Sequence, residues 1–594
     1  MKPGVTTRIL ALSVAAAALT APLAAHANSA AVDYFRNRAG NTAVPSLLSQ
    51  DERSYYRDLF AAIDRGDWTQ VQTLFAQKPD GPLHQVARAE YYLAANSPKI
   101  EGDALSNWLV RGTELPQAEQ IANLAMKRGA AVIPSLPSAN SLVSMPNRAK
   151  RIRPRDTNDG TMPGAVSGAI LAAIKADNPS GAKALLDGID TQLSANARAE
   201  WRAKIAWSFY IENDDASAYA VGQTANDGLG PWVAEGWWTA GLAAWRMDDC
   251  TGAGDAFART ASLSENSELT AAALYWQSRA LVRCRKPENA AAPLKQAARM
   301  DETLYGMLAA EQLGLTLPKT HEAPDFSLTD WQAMRDVPNV RVAVELAEVG
   351  KDGLADEVLR HQARIGTPNQ YQPLSRLARD LGLPSTQLWM AYNAPYGGKP
   401  EPAARFPTPK WTPVGGWKVD PALVYAHALQ ESVFRTGAVS QTGARGLMQI
   451  MPAAAKDHSE DLGYRGSPSD LNRPEVNLAF GQRHLDMLRN SAATQGLLPK
   501  VMAAYNAGLT PIGRWQYEIK DKGDPLLWIE SVPYWETRGY VNIVMRNYWM
   551  YERQAGGPSE SRLALAQGLW PTFPGLTGSQ AVRMSANGTL QRLR

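Results

Sequence analysis

The sequence predicts a mainly α-helical chain built from several domains. Three observations carry the prediction. At 594 residues the chain is too long for one hydrophobic core. From about residue 30 to 320 it is rich in Ala, Leu and Trp, with helical periodicity broken by short polar stretches. A Pro- and Gly-rich segment, Pro395 to Val414, then separates this region from a second strongly patterned one that runs to Gly556. The composition, 45% hydrophobic and 20% charged, is that of a folded soluble protein. Lys and Arg number 61 against 58 Asp and Glu, so the balance argues against a nucleic-acid partner, which calls for a clustered basic excess.

The N-terminus reads as an export signal. Lys2 and Arg8 flank the start of an apolar run from Ile9 to Thr20, and Ala25-His26-Ala27 supplies a small-x-small cleavage pattern. Residues 1–27 are therefore expected to be a signal peptide. The run is short for a spanning helix, and no later stretch is long and apolar enough, so the mature chain is expected to be exported without a membrane span. Cys250 and Cys284 follow similar helical segments, which leaves a disulfide and two separate thiols both open. Two cysteines alone fall short of the four ligands of a structural zinc site.

Within the first region, Gly181 to Leu193, Ala197 to Glu212, Trp237 to Met247 and Leu269 to Arg283 carry helical patterning. Trp245 with Asp255-Ala256-Phe257 and Ala261 resembles Leu281 with Ala292-Pro293-Leu294 and Ala298. The offset, about 36 residues, suits a helix-pair repeat. Most of the tryptophans are read as gap-fillers between helices. The polar stretch from Arg148 to Pro163 is expected to be a surface loop, with a basic contact for an anionic polymer as the other reading. Trp331 to Tyr392 is helical again, and the chain beyond Gly557 is expected to be poorly ordered or loosely docked.

The chemistry-bearing segment begins at Asp420-Pro421, an N-cap followed by proline at the first helical position. Helical spacing places Val424, His427 and Glu431 on one face. A glutamate beside apolar neighbours is desolvated, which raises its pKa and leaves a proton to donate near neutrality. That is the requirement for a general acid in glycoside cleavage. Alone, such a glutamate would be read as a surface charge, and its context decides otherwise. Ser440 and Gly443-Ala444-Arg445-Gly446 form a tight turn where the backbone can approach a bulky ligand. Gln449 can donate and accept hydrogen bonds toward an acetamido group or sugar hydroxyl, and Met451 offers a soft apolar surface.

Four motifs occur in order: Glu431-Ser432-Val433-Phe434; Gly443-Ala444-Arg445-Gly446-Leu447-Met448-Gln449 leading to Met451-Pro452; Ala504-Tyr505-Asn506-Ala507-Gly508; and Pro533-Tyr534-Trp535-Glu536-Thr537-Arg538-Gly539-Tyr540-Val541. This set resembles the soluble lytic murein transglycosylases, and Asn477 to Gly481 and Leu304 to Gly314 resemble two further segments of that family. The resemblance implies a U-shaped or ring-like helical superhelix (28–322), a helical linker domain (323–410), a lysozyme-like catalytic domain (411–556) and a C-terminal tail (557–594). It implies a periplasmic enzyme cutting peptidoglycan glycan strands, with Glu431 as single catalytic acid and base. Ser440, Gln449, Met451, Tyr505, Asn506, Glu536 and Tyr540 are the implied substrate-binding residues. Tyr505 is expected to place its hydroxyl beside Glu431, Asn506 to bind sugar, Glu536 to line the groove and Tyr540 to support its wall. The chain departs from the family at Thr436-Gly437, and at His427, where relatives are often aliphatic; His427 either tunes Glu431 or fills space.

No metal or organic cofactor is implied. The chain is expected to act as a monomer, with cell-wall-remodelling proteins as possible partners. No second carboxylate stands in a nucleophile motif, and Asp457, Glu460, Asp461 and Asp470 are read as solvated. A lysozyme-like hydrolase using water, and a non-catalytic peptidoglycan-binding scaffold, remain alternatives. A metalloenzyme built on His427, His458 and His484 lacks the spacing of an HExxH site.

Overall fold

The computed structural model describes residues 34, 43–317, 324–456, 462, 464–575, 582–584 and 590–592. The expected signal peptide lies outside them. The described residues are predominantly helical; their only strands form two short antiparallel pairs, Leu142–Ser144 with Asn393–Pro395 and Val582–Met584 with Leu590–Arg592. No helix among them is long and apolar enough to cross a membrane.

Helical hairpins form the centre of the first region: Gly164–Lys175 with Pro179–Asp187, Ala195–Ile211 with Asp215–Thr224, Trp232–Arg246 with Cys250–Leu263, and Ser267–Arg283 with Pro287–Ala298. Each hairpin turns at one residue in the left-handed region: Asp177, Asn213, Asp248 and Arg285. These recur every 35 to 37 residues, the period that the degenerate side-chain match suggested. Asp and Asn tolerate positive φ better than most residues, and the next position caps the following helix in three of the four cases through Asn178, Asp214 and Asp249. The tryptophans are packing residues. Trp238 and Trp276 are buried, and Trp245 meets Trp276 edge-on at 5.2 Å. Cys250 and Cys284 form a disulfide with a Cα separation of 5.5 Å, tying adjacent hairpins.

The cores do not follow chain order. The helices from Gln50–Arg65 to Ala118–Lys127 share one core with those from Leu328–Met334 to Pro384–Tyr392. Glu348 accepts the backbone N–H of Leu47 at 2.6 Å and of Leu48 at 3.2 Å, and Asn339 donates to Glu114 O at 2.7 Å. The packing therefore cuts across the boundary expected near residue 322. A second core joins the hairpins, the buried helix Leu304–Gln312 and the C-terminal helices.

Two expectations are corrected. Arg151, in the stretch read as a surface loop, is buried between the superhelix and the C-terminal domain. It donates to Glu235 at 2.9 Å and to Glu530 at 3.0 Å, and lies over the rings of Trp238 and Trp535. The chain after Gly557 is firmly packed as far as Phe573. Helix Glu560–Ala566 follows, Trp570 and Phe573 are buried, and Trp570 donates to Gly523 O at 3.0 Å. Its apolar residues are what periodicity over so short a segment did not reveal.

Two outcomes follow. Reducing the disulfide, or replacing both cysteines by Ser, should cost about 4 kcal/mol through a loop of 34 residues, read as a lowered midpoint in thermal or urea unfolding. Arg151→Met should cost about 3–5 kcal/mol in urea unfolding, because two buried carboxylates lose their counterion, and adding Glu530→Gln should recover part of it.

Candidate active site

Helix Pro421–Glu431 starts as expected. Asp420 accepts from Ala422 N at 2.9 Å, and Tyr548 donates to its other oxygen at 2.9 Å. The residues from Pro421 to Leu429 are all buried, so the helix is a core element that carries its last residue, Glu431, to a partly exposed end. The helix ends there because Val433 and Phe434 both adopt left-handed φ, 55° and 58°. Such conformations cost about 1–2 kcal/mol each without glycine. Burial of the Phe434 ring, packed 6.1 Å from Tyr425, offsets about 1.5–3 kcal/mol of that.

The following loop is built from backbone bonds. Ser440 N donates to Ala444 O, and Ser440 Oγ accepts from Ala444 N, both at 2.9 Å. Arg445 and Ile450 exchange a pair of 2.9 Å bonds, and Gly446 N donates to Ala438 O. Buried Asn477 clamps the loop from outside: it accepts from Met448 N at 2.8 Å and donates to Arg445 O at 2.9 Å and Leu471 O at 2.8 Å. Gly446, at φ 73°, has no room for a Cβ, which would collide with Leu471 O and Asn477. Gln449, at φ 50°, donates from its amide to Gly446 O at 3.0 Å.

Glu431 is partly buried. Desolvation pushes its pKa up to about 7, against a hydrogen bond from Tyr540 that lowers it, and the charge of Glu536 adds to the rise. The Tyr540 hydroxyl donates to Glu431 Oε1 at 2.6 Å and lies 2.8 Å from His427 Nδ1. Tyr540 thus holds the acid directly, a role expected of Tyr505. The Tyr505 hydroxyl donates instead to Met448 O at 2.8 Å, and its ring stacks parallel to Tyr540 at 6.4 Å and packs on His427 at 4.6 Å. The reason is position: Tyr540 sits one turn into the rigid helix Trp535–Gln554, against which helix Pro421–Glu431 packs.

The other expected residues distribute as follows. Asn506 Oδ1 accepts from Thr537 Oγ1 at 2.6 Å, joining the third motif to the fourth. Glu536 is exposed in the first turn of the same helix. Met451 is 42% exposed, and Ser440 is engaged with its own turn and with Thr442 at 2.9 Å. Asp470 accepts from Ser467 N in a capping turn. Asp457, His458, Glu460 and Asp461 lie outside the described residues. Sequence reasoning missed the Asn477 clamp, the Thr537 contact and the alignment of His427 with Tyr540; the first had a signal in its motif, the others depend on how two distant helices meet.

A carboxylic acid whose pKa is raised to about 7, held by a tyrosine beside a glycine-turned loop at the end of a buried helix, is an arrangement suited to general acid catalysis on a glycoside. Comparison with known proteins agrees. The transglycosylase SLT domain family matches residues 415–527. The soluble lytic murein transglycosylase of Escherichia coli is 28% identical over 286 residues, 46% of this chain and 42% of that protein. The Salmonella typhimurium protein of the same name is 33% identical over 153 residues, 25% of this chain and 23% of that one. The chain therefore spans under half the length of these curated relatives. The crystal structure of the 70 kDa soluble lytic transglycosylase of Escherichia coli superposes with a TM-score of 0.53 at 18% identity, covering 89% of this chain and all of that one. Residues 415–527 thus carry a transglycosylase SLT domain, and the chain is similar in sequence and in overall fold to soluble lytic murein transglycosylases.

Asn477→Asp should cost about 1–3 kcal/mol, since the buried carbonyls of Arg445 and Leu471 lose their donors, and Gly446→Ala should be worse. Urea unfolding of both variants, alongside the unaltered chain, measures it.

Proposed function

We propose that this chain is a periplasmic peptidoglycan lytic transglycosylase that cleaves the β-1,4 bond between N-acetylmuramic acid and N-acetylglucosamine. The observation that carries the reading is Glu431: a partly buried acid with its pKa raised to about 7, bonded to Tyr540, on a loop set that can cradle a sugar. In the first step Glu431 gives its proton to the glycosidic oxygen, and the bond from that oxygen to the anomeric carbon breaks. The substrate's own acetamido carbonyl stabilises the anomeric centre. In the second step the Glu431 carboxylate takes the proton of the muramic acid C6 hydroxyl, whose oxygen bonds the anomeric carbon and closes the 1,6-anhydro ring. No second carboxylate is required, because the nucleophile is already held within the substrate and has lost its translational entropy.

In this reading Gln449, Tyr505, Asn506 and Glu536 contact sugar, Met451 and Ser440 line the groove, and Tyr540 stabilises the Glu431 carboxylate between the steps. In the same reading a superhelix (28–322) and a linker (323–410), whose helices share one core with the first helices of the superhelix, flank the catalytic unit at 411–556.

The test is digestion of purified peptidoglycan followed by mass spectrometry of the muropeptides. Products one water lighter than the hydrolysed form are expected. Glu431→Gln should lower the rate by roughly 10²–10⁴-fold, and the rate of the unaltered enzyme should fall as pH rises through about 7, where the acid loses its proton. Hydrated products would make the protein a lysozyme-like hydrolase, and no products from either protein would favour a binding scaffold.

A further inference from the structure

The ring of His427 is fully buried on the acid-bearing helix, one turn before Glu431. Its Nδ1 is 2.8 Å from the Tyr540 oxygen, and its Nε2 is buried with no partner among the described residues. Burial, with His484 nearby, lowers its pKa to about 3, so the imidazole is neutral and carries one N–H and one lone pair. A buried N–H without an acceptor is rarer and more costly than a lone pair without a donor. The proton therefore belongs on Nδ1, the nitrogen that has a partner.

We propose that His427 is a positioning residue for the acid: its Nδ1–H donates to the Tyr540 oxygen and so commits the one Tyr540 hydroxyl proton to Glu431 Oε1. A phenol has one proton to donate. With its oxygen occupied by the His427 donor, Tyr540 is disfavoured as an acceptor from protonated Glu431 and directed toward the carboxylate. The bond thus favours the ionised form that Glu431 takes between the two steps proposed above, and the inference rests on that reading. The titratable groups around this chain are few. Tyr540 and Glu536 face Glu431 from helix Trp535–Gln554, while Tyr505 from Leu498–Ala507 and His484 from Pro474–Arg489 face His427.

The tautomer can be observed directly. The sequence holds 7 histidines, so two-bond proton–nitrogen spectra of the ¹⁵N-histidine-labelled full chain are tractable, with His427 assigned by its loss in His427→Leu. A ring protonated on Nδ1, unchanged between about pH 5 and pH 8, is expected. A ring protonated on Nε2, or one that titrates in that range, would overturn the proposal. Kinetics give a second arm. In His427→Leu the pH at which kcat falls should rise by roughly one unit, with KM little changed, and His427→Asn, which restores a donor, should recover most of the shift. A slower enzyme with an unmoved limb would mean that the ring only fills space. An active Glu431→Gln protein would sink the acid reading, yet the spectrum would still decide the tautomer.

Discussion

A carboxylic acid keeps its proton near neutrality only if its charge is denied water, and this structure is arranged around that denial. Glu431 ends a helix whose preceding residues are buried, and the Tyr540 hydroxyl closes on its carboxyl. Desolvation alone would favour the protonated acid through both halves of the proposed reaction, which needs it in two forms. The Tyr540 hydroxyl supplies the counterweight, a charge-assisted bond that makes the carboxylate accessible without exposing it to solvent.

The placement of that hydroxyl makes helix Trp535–Gln554 a shared beam. One stretch of it carries Tyr540 to Glu431 and Thr537 to Asn506. Further along, Arg546 meets Glu268 of the superhelix, and Tyr548 bonds the N-cap Asp420 of the acid-bearing helix. Around its start, Arg151 bridges Glu235 and Glu530, and Tyr305 donates to Glu530 at 2.8 Å. Buried ion pairs of this kind add little net stability, but removing one member is expensive, which is how a domain interface is kept in one geometry. The superhelix is thereby fixed to the element that sets the acid's protonation.

Much of this was legible in the sequence, for identifiable reasons. The start of the acid-bearing helix was marked by Asp420-Pro421, and the buried face of Glu431 followed from periodicity. The repeat period was visible only as a blurred side-chain match, although the Asp and Asn residues at the left-handed turns keep it more faithfully. The ending of the helix was not visible. Val433 and Phe434 are poor candidates for left-handed φ, and only tertiary burial of the phenylalanine explains them. The choice between Tyr505 and Tyr540 as the acid's partner could not be read, because both stand at sound positions in their motifs and the answer lies in how two helices pack. Arg151 misled for the same reason: an arginine among prolines looks solvated until its carboxylates, 84 and 379 residues away in sequence, come into view.

The core shared by the first helices and the linker helices has a consequence for how the molecule is made. The apolar faces of the segment from Gln50 to Lys127 find their partners only after the whole run of hairpins and residues to Ala394 have been synthesised. Contacts so distant along the chain carry a loop-closure cost and slow folding. Until the partner helices emerge, that segment carries uncovered apolar surface, the condition under which growing chains associate wrongly or are held by chaperones. The hairpins between, each closing on its neighbour, can assemble as they appear. Folding of this chain is therefore split: a middle whose hairpins close on their neighbours, and two ends that wait for each other.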